Sequence, residues 1–251
     1  MKKLVLILSL VFASSSIYAQ DQYNVLLFTK TAGFHHVSIH EGVAAIKALG
    51  AKHHFNVDWQ ESSRVFNEKN LERFQVIIFL NTTGDILDDE QQKAMEGFIK
   101  SGKGFVGIHA AADTEYDWEW YTQLLGRMFK THPKIQTAKI RVENKNFPGM
   151  ENTPASRIWT DEWYQYQDEA ITGLNYLITV DEKTYDPVVK RGDNVIEPMG
   201  DFHPLAWYHE FDGGRSFYTG MGHVPSTYSD PIFLDQLAGA IWWAATGKGI
   251  E

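Results

Sequence analysis

The chain has 251 residues and no cysteine. The absence of cysteine excludes disulfide bonds, a thiol nucleophile, a C-x-x-C metal motif and a lipid anchor on a cysteine. Basic residues are also scarce, since 23 lysines and arginines stand against 32 acidic residues for a net charge of −9. This balance disfavours nucleic acid as a partner, because its phosphate backbone attracts basic surfaces.

Long apolar runs are missing too, and the apolar stretch at residues 4–12 is too short to span a bilayer. Two lysines precede it and small residues up to Ala19 follow it, which is the pattern of a secretory signal. We therefore predict cleavage before Gln20 and export to the periplasm or the medium, without a membrane anchor. Residues 20–251 show no repeat, low-complexity tract or linker, so we expect a signal peptide over 1–19 and a single domain after it.

The first half of the mature chain has the pattern of an α/β fold. Hydrophobic residues make up 43% of the chain, enough for a full core. Apolar stretches alternate with capped helices, which predicts a parallel sheet covered on both faces. Ser38 with Glu41 and Asp88 with Gln91 have the capping-box spacing, and Gly50 is expected to end the first helix. Strands are expected here at residues 24–28, 54–58, 75–80 and 104–108.

The second half, after Asp113, has alternating strands and a hairpin turn at residues 212–214. This pattern predicts an antiparallel extension of the sheet. A terminal helix is expected over residues 230–246, with Pro231 in its first turn, and residues 144–156 are expected to form a loop. Strands are expected in this half at residues 135–142, 174–180, 204–211 and 215–219.

The sharpest predicted turn lies at His109, between an apolar strand and a helix that begins near Ala110. Small residues at positions 107, 110 and 111 permit a tight turn, similar to a nucleophile elbow. In α/β folds, ligands bind at this carboxyl edge of the sheet. A histidine there can bind a metal, move a proton or donate a hydrogen bond, but a histidine that only packs at a strand end fits the pattern equally well.

Other polar side chains are expected at the same edge, because the carboxyl ends of parallel strands meet there. A glycine-rich strand end presents His223 in the same way as His109, and His203 follows another loop. Three loops after the parallel strands are expected to bring His35, His36, Asn81, Thr82, Thr83 and His109 to this edge.

The histidines at this edge, together with Glu162, would suffice for a metal site of histidines and a carboxylate. The sequence has no H-E-x-x-H motif and no P-loop. Convergence of His36, His109, His223 and Glu162 would bind a divalent metal such as zinc. Acid–base chemistry by the same histidines would need no metal. The Asp161-Glu162 pair is by itself more typical of a solvated turn.

Several motifs together resemble those of the ThuA-like (trehalose utilisation) family, from Val25 to about Gly247. They lie at residues 33–39, 104–109, 125–133, 161–164, 204–207, 214–218 and 222–223. The resemblance implies a flavodoxin-like three-layer α/β sandwich of the class I glutamine amidotransferase-like type, with a mostly parallel central sheet and an antiparallel extension. It also implies a role in the use of trehalose or a related disaccharide or keto-sugar.

Two departures from the related patterns stand out. Glutamine amidotransferases of this fold carry a cysteine at the elbow and a His-x-Glu motif later in the chain. Here the elbow holds His109, and Pro225 stands where the glutamate would follow His223, so glutamine hydrolysis is not expected. Phe147 and Pro148 stand where members of the resembled family often hold a His-Pro pair.

The leading hypothesis is an enzyme, a hydrolase or lyase that acts on a small-molecule sugar. A glycosidase needs two carboxylates about 5–10 Å apart, and Asp113 with Glu162 suits this better than Asp161 with Glu162. The catalytic candidates are His109, His223, Glu162 and Asp113. The candidates for substrate binding are His36, Asn81, Thr82, Trp118, Tyr164 and His203.

Two other function classes remain open on the sequence. A carbohydrate-binding module without catalysis would keep the same pocket on an amidotransferase-like scaffold. The third function class is an interaction protein that displays its aromatic cluster to a partner. This cluster includes Tyr116, Trp118 and Trp120. Turnover of a sugar panel separates the enzyme from the binding module.

Overall fold

The computed structural model describes residues 22–167 and 171–249, so the predicted signal peptide lies outside the described residues. The strands are β1 Asn24–Phe28, β2 Asn56–Gln60, β3 Val76–Leu80, β4 Gly104–Ile108, β5 Phe129–Thr131, β6 Gln136–Val142, β7 Ser156–Asp161, β8 Gln165–Tyr166, β9 Asn175–Asp181, β10 Val189–Arg191, β11 Asn194–Ile196, β12 Pro204–Phe211 and β13 Gly214–Thr219. The α-helices are α1 Ile39–His53, α2 Glu68–Leu71, α3 Asp89–Lys100, α4 Glu119–Leu125 and α5 Pro231–Thr246. None of these described helices is long and apolar enough to cross a bilayer.

The main sheet has nine strands in the order β2-β1-β3-β4-β13-β12-β9-β6-β7. Its first five strands run parallel to one another. Each of the last four runs antiparallel to the strand before it. The predicted fold class, an α/β sandwich with a parallel sheet and an antiparallel extension, is confirmed. The pairs β5 with β8 and β10 with β11 form small sheets of their own.

The core has two parts because β1 and its neighbours alternate their side chains between the two faces of the sheet. Val25 and Leu27 belong to the part that packs against α1 and α5. Leu26 and Phe28 belong to the part that packs against α3 and α4. Since both faces are covered, the central parallel strands read as continuous apolar runs in the sequence.

The two predicted helix starts have different outcomes. Asp88 forms the predicted capping box with Gln91, each side chain accepting the other's backbone N–H. Ser38 makes no side-chain cap on α1. Its hydroxyl donates instead to the carbonyl oxygen of Gly222 at 3.0 Å. The capping box predicted at Ser38 was wrong, because a tertiary contact takes the hydroxyl.

The predicted end of α1 at Gly50 was also wrong. The helix runs to His53, and His54 ends it in a left-handed conformation with φ 57°. A Cβ on Gly50 would lie 2.7 Å from the carbonyl oxygen of Phe55. The glycine therefore permits the chain to return closely over the helix, and it does not stop the helix.

The strand β7 lies in a segment for which the sequence predicted no strand. It is an edge strand, paired in the described part of the chain only with β6, and its exposed positions alternate with less exposed or buried ones. Successive antiparallel pairings from β13 to β7 give these two strands the same direction. Glu162, the residue after β7, therefore lies at the same edge of the sheet as the ends of the parallel strands.

Candidate functional site

Polar side chains at the carboxyl edge are presented by an uncommon backbone conformation. Asn81 follows β3 with φ 51°, and His109 follows β4 with φ 49°. Left-handed residues other than glycine are uncommon and concentrate at functional sites. Gly107 keeps the turn tight, since a Cβ there would lie 2.9 Å from Leu125 Cδ1. The predicted elbow forms, although residues His109–Asp113 make a 3₁₀ turn and not the start of an α-helix.

Four side chains from distant parts of the sequence converge at this edge: His36, His109, Glu162 and His223. One potential ligand atom from each lies within 4.8 Å of those of the other three. We call these four residues the histidine–glutamate cluster. His109, His36 and Glu162 are buried, whereas the His223 side chain is 17% exposed. His223 is therefore the most solvent-accessible member of the cluster.

Hydrogen bonds fix the orientation of three members of the cluster. Nδ1 of His109 donates to the carbonyl oxygen of Gly220 at 2.8 Å, which leaves Nε2 to face the cluster. This Nε2 lies 3.1 Å from His223 Nδ1 and 3.6 Å from Glu162 Oε2. His223 Nδ1 lies 3.1 Å from the same carboxylate oxygen. Three polar atoms thus meet at mutual distances of 3.1–3.6 Å.

His36 differs from the other members because its Nδ1 is buried without a hydrogen-bond partner in the described part of the chain. Its ring packs edge-on against the rings of His109 and His223, with centroids 5.0 and 5.1 Å apart. Phe34 covers it from outside at 4.8 Å. Burial, with the charges of the two neighbouring histidines, lowers the pKa of His36 to about 2. His36 is therefore a neutral imidazole at physiological pH.

A further histidine, His132, joins the site, and the sequence did not predict it as a site residue. Its Nδ1 donates to Glu162 Oε1 at 2.9 Å and to the carbonyl oxygen of Pro133 at 2.8 Å. Burial acts to raise the pKa of Glu162, but hydrogen bonds from His109, His132 and His223 hold it well below its usual range. Burial acts to lower the pKa of His132, but the Glu162 carboxylate raises it above its usual value. The pair therefore favours an ionised carboxylate beside a protonated imidazole.

The loop that carries His223 is held by Asp161. The sequence pattern is typical of a solvated turn, but Asp161 is fully buried. Its carboxylate accepts the backbone N–H groups of Gly222, His223 and Val224 at 2.9, 3.1 and 3.2 Å. It also accepts the hydroxyl of Thr227 at 3.2 Å. Successive amides around one anion form a rigid loop, so Asp161 fixes the position of His223.

Asp113 and Tyr164 lie beside the cluster. The Tyr164 ring packs on His109 with centroids 4.1 Å apart. The hydroxyl of Tyr116 donates to the Asp113 carboxylate at 2.6 Å. Burial raises the pKa of Asp113, while the hydrogen bond from Tyr116 and the charges of His109 and His132 act in the opposite direction. A second carboxylate thus lies near the cluster, in a less solvated setting than an exposed aspartate.

Asn81 and Thr82 support the edge from behind. The amide nitrogen of Asn81 donates to Ser38 Oγ at 3.0 Å, and its oxygen accepts the Ala110 N–H at 3.4 Å. The Thr82 hydroxyl is hydrogen-bonded to that of Thr114 at 2.9 Å. Both side chains are fully buried. The structure gives them a positioning role at this edge.

Two other residues expected to bind substrate are not brought to the cluster. Trp118 packs on Trp120 and belongs to the core under α3 and α4. His203 is fully buried and bonded to Glu182 Oε1 and to the carbonyl oxygen of Tyr164, both at 2.8 Å. It therefore holds the backbone of Tyr164. Placement after a loop, which suggested His203, does not decide which way a side chain points or what it contacts.

The chemistry available at this edge follows from its donor set. Imidazole nitrogens and carboxylates at these distances bind hydroxyl groups, transfer protons or hold a metal ion. Phe34, with 63% of its surface exposed, packs on His36 at the rim. The chain has no cysteine, so no thiol is available for acyl transfer.

Solved structures similar to this chain include two described as ThuA-like proteins. The one from Bacteroides uniformis is 23% identical, with a TM-score of 0.74 over 92% of this chain and 94% of that chain. The one from Parabacteroides merdae is 18% identical, with a TM-score of 0.71 over 91% and 92%. A β-galactosidase from Bacillus circulans is 12% identical, with a TM-score of 0.56 over 94% of this chain and 32% of that chain. At these identities the likeness shows the fold alone.

No curated protein matches the chain significantly. The family model for ThuA, trehalose utilisation, matches residues 24–244. This span contains every member of the histidine–glutamate cluster, and it confirms the resemblance seen in the motifs. The chain therefore belongs to the ThuA family, which is described as a trehalose utilisation family.

Proposed function

We propose that the protein acts on a small sugar, trehalose or a related disaccharide or keto-sugar, at the histidine–glutamate cluster. The observation that carries this proposal is the convergence of three imidazoles and a carboxylate at one edge of the sheet. Sugars present closely spaced hydroxyl or carbonyl oxygens, which such side chains recognise by hydrogen bonds. The family's role in trehalose utilisation supports a sugar as the substrate.

Proton transfer is the chemistry that suits these residues. Glu162 is an ionised acceptor, and His132, 2.9 Å away, favours its protonated form. Neighbouring groups whose pKa values are moved apart in this way divide the roles of base and acid. His223, the most exposed member of the cluster, would meet a substrate hydroxyl first. Asp113 would be the second carboxylate.

Glutaminase activity is not part of the proposal. His109 stands at the elbow where a thiol nucleophile is needed, and its ring is held by the Gly220 carbonyl. Pro225 stands where the glutamate of a His-x-Glu motif would follow His223. Incubation with glutamine should accordingly release no ammonia.

A carbohydrate-binding module without catalysis is the second candidate function. Phe34 favours it, because this ring is 63% exposed at the rim of the cluster. Exposed aromatic rings pack on the apolar faces of sugar rings. Such a module would bind sugar through the same residues but would not change it.

The test incubates residues 20–251 with a panel of disaccharides and their keto derivatives and monitors turnover by NMR. Calorimetry measures the binding of the same sugars in parallel. Glu162→Gln should lower turnover by about 10²–10⁴-fold, the usual contribution of a positioned proton-transfer group. His53→Gln, in the last turn of α1, is a matched control with an exposed histidine and should leave turnover unchanged. Binding without turnover would favour the module. Neither binding nor turnover would contradict both candidates.

We also propose that the protein is exported. The two lysines, short apolar run and Ala19 at the N-terminus support export. N-terminal sequencing of protein from its native host should begin at Gln20. Intact Met1 on protein from the cytoplasm would overturn the proposal.

A further inference from the structure

We propose that the histidine–glutamate cluster is a binding site for one divalent transition-metal ion of the zinc type, with His36, His109, His223 and Glu162 as ligands. The inference deepens the proposed function, and it rests on that function only for what the ion does to a sugar. The site itself follows from the spacing, orientation and burial of these four side chains.

The spacing of the polar atoms is that of a metal's ligand shell. Ligand atoms about 2.0–2.2 Å from a tetrahedral zinc ion lie about 3.3–3.6 Å from one another. His109 Nε2, His223 Nδ1 and Glu162 Oε2 are separated by 3.1, 3.1 and 3.6 Å. A ring nitrogen of His36 completes a set of four atoms within 4.8 Å. Small side-chain shifts would suffice to place all four around one ion.

The ligands are oriented by hydrogen bonds on their outer sides, as is usual around bound metals. The bond from His109 Nδ1 to the Gly220 carbonyl directs the lone pair of Nε2 inward. The bond from His132 to Glu162 Oε1 leaves Oε2 facing the imidazoles. Asp161 holds the backbone of His223. Two of the four ligand side chains are therefore oriented, and the backbone of a third is held, before any ion arrives.

His36 gives a second indication of a bound ion, independent of the spacing of the ligand atoms. The structure satisfies other buried histidines, since His209 bonds the Leu124 carbonyl and His203 bonds the Tyr164 carbonyl, both at 2.8 Å. His36 is buried to the same degree, yet its Nδ1 has no partner in the described residues. A buried polar group without a partner is costly and needs an explanation. A partner from outside the protein explains why an imidazole, and not an apolar ring, occupies this position.

The donor set decides which ion suits the site. Three imidazole nitrogens and one carboxylate oxygen match zinc and its first-row neighbours. Magnesium and calcium prefer shells made of oxygen atoms. When bound, the ion would supply a Lewis acid, and a sugar oxygen approaching from the side of His223 would be polarised as a fifth ligand.

The test uses the metal-free mature chain, residues 20–251, titrated with Zn²⁺, Co²⁺ or Mg²⁺ in the absence of sugar. We expect one Zn²⁺ or Co²⁺ per chain by calorimetry and elemental analysis, visible Co²⁺ absorption bands of low coordination number, and no stoichiometric Mg²⁺. His36→Leu should weaken Zn²⁺ binding by more than about 100-fold, since losing an outer partner alone costs 10–100-fold. His36 has no hydrogen bond to lose through Nδ1, so this variant should keep its fold.

His35→Asn is the matched control. His35 is the sequence neighbour of His36, but it is exposed and its Nδ1 lies 3.3 Å from the Thr31 hydroxyl. Zn²⁺ binding by this variant should be unchanged. Glu162→Gln is a second ligand variant, should His36→Leu fail to fold. The metal site is wrong if the unaltered chain binds no ion stoichiometrically, or if the ligand variants bind as it does. Sugar turnover by a chain that binds no ion would overturn the metal site and support the proposed function.

Discussion

Replacing Asp161 by alanine is expected to lower the free energy of unfolding by about 3–5 kcal/mol, a large effect for one substitution. The buried carboxylate accepts three successive backbone amides, residues 222–224, and the hydroxyl of Thr227. Alanine leaves these donors without an acceptor, and each buried unsatisfied group costs about 1–3 kcal/mol. The half-buried amides can bind water after the substitution, so the total loss of stability stays below the sum of these separate costs. Urea unfolding followed by circular dichroism measures the change.

Three comparisons sharpen this measurement. Thr227→Val removes one hydrogen bond and should cost about 1 kcal/mol. Asp193→Ala removes an exposed carboxylate and should change stability by less than about 0.5 kcal/mol. Asp161→Asn keeps one acceptor oxygen but turns an NH₂ group toward amide donors. Its loss of stability should therefore lie between those of Asp193→Ala and Asp161→Ala. If Asp161→Ala cost no more than Asp193→Ala, the carboxylate would not be what holds the His223 loop.

The fold was predictable because its signals are local. The buried parallel strands are unbroken apolar runs, and the capping box of Asp88 and Gln91 uses only neighbouring backbone groups. Ser38 shows the limit of such reasoning. It has the same spacing to Glu41, yet its hydroxyl bonds Gly222, a residue 184 positions away. A local rule fails where a distant group competes for the same side chain.

Part of the site was predictable for a related reason. Parallel strands end at one edge, so His36, His109 and His223 could be placed together from the order of strands and loops. Asp161 and His132 could not be assigned in this way. Asp161 looks like half of a solvated pair, and its burial depends on β7, which the sequence pattern did not identify as a strand. His132 stands after a strand of three residues, and only its place in a family motif marked it.

The same contacts explain how the cluster is held in place. Gly222 accepts the hydroxyl of Ser38 at 3.0 Å and that of Tyr228 at 3.1 Å, and it donates its N–H to Asp161. The carbonyl oxygen of Gly220 accepts a hydrogen bond from Nδ1 of His109. The short segment after β13 is therefore tied to α1, β4 and β7 at once. Changes in this segment should disturb stability and the cluster together.

Gly220→Ala is expected to destabilise the protein by about 1–3 kcal/mol, the usual cost of overpacking a filled core. A Cβ at this position would clash with the hydroxyl oxygen of Tyr166, which is itself buried. The φ of Gly220 is not positive, so the cost comes from the clash and not from backbone strain. The displaced Gly220 carbonyl would also release His109 Nδ1, now 2.8 Å away. Zn²⁺ affinity should therefore fall together with the midpoint of urea unfolding.

Removing the clashing atom tests that cause directly. Tyr166→Phe deletes the hydroxyl and a long 3.4 Å hydrogen bond to Tyr218, which should cost about 0.5–1.5 kcal/mol alone. In the double variant the alanine Cβ no longer meets this oxygen. The losses in the free energy of unfolding of the two single variants should therefore not add, and the coupling energy between the two positions should reach about 1–2 kcal/mol. Gly97→Ala is the matched control, because no atom lies within 4 Å of its Cβ position in α3. It should stabilise the protein by about 0.5–1 kcal/mol through helix propensity alone. Additive losses in the double variant would mean that the Tyr166 hydroxyl is not the obstacle at Gly220.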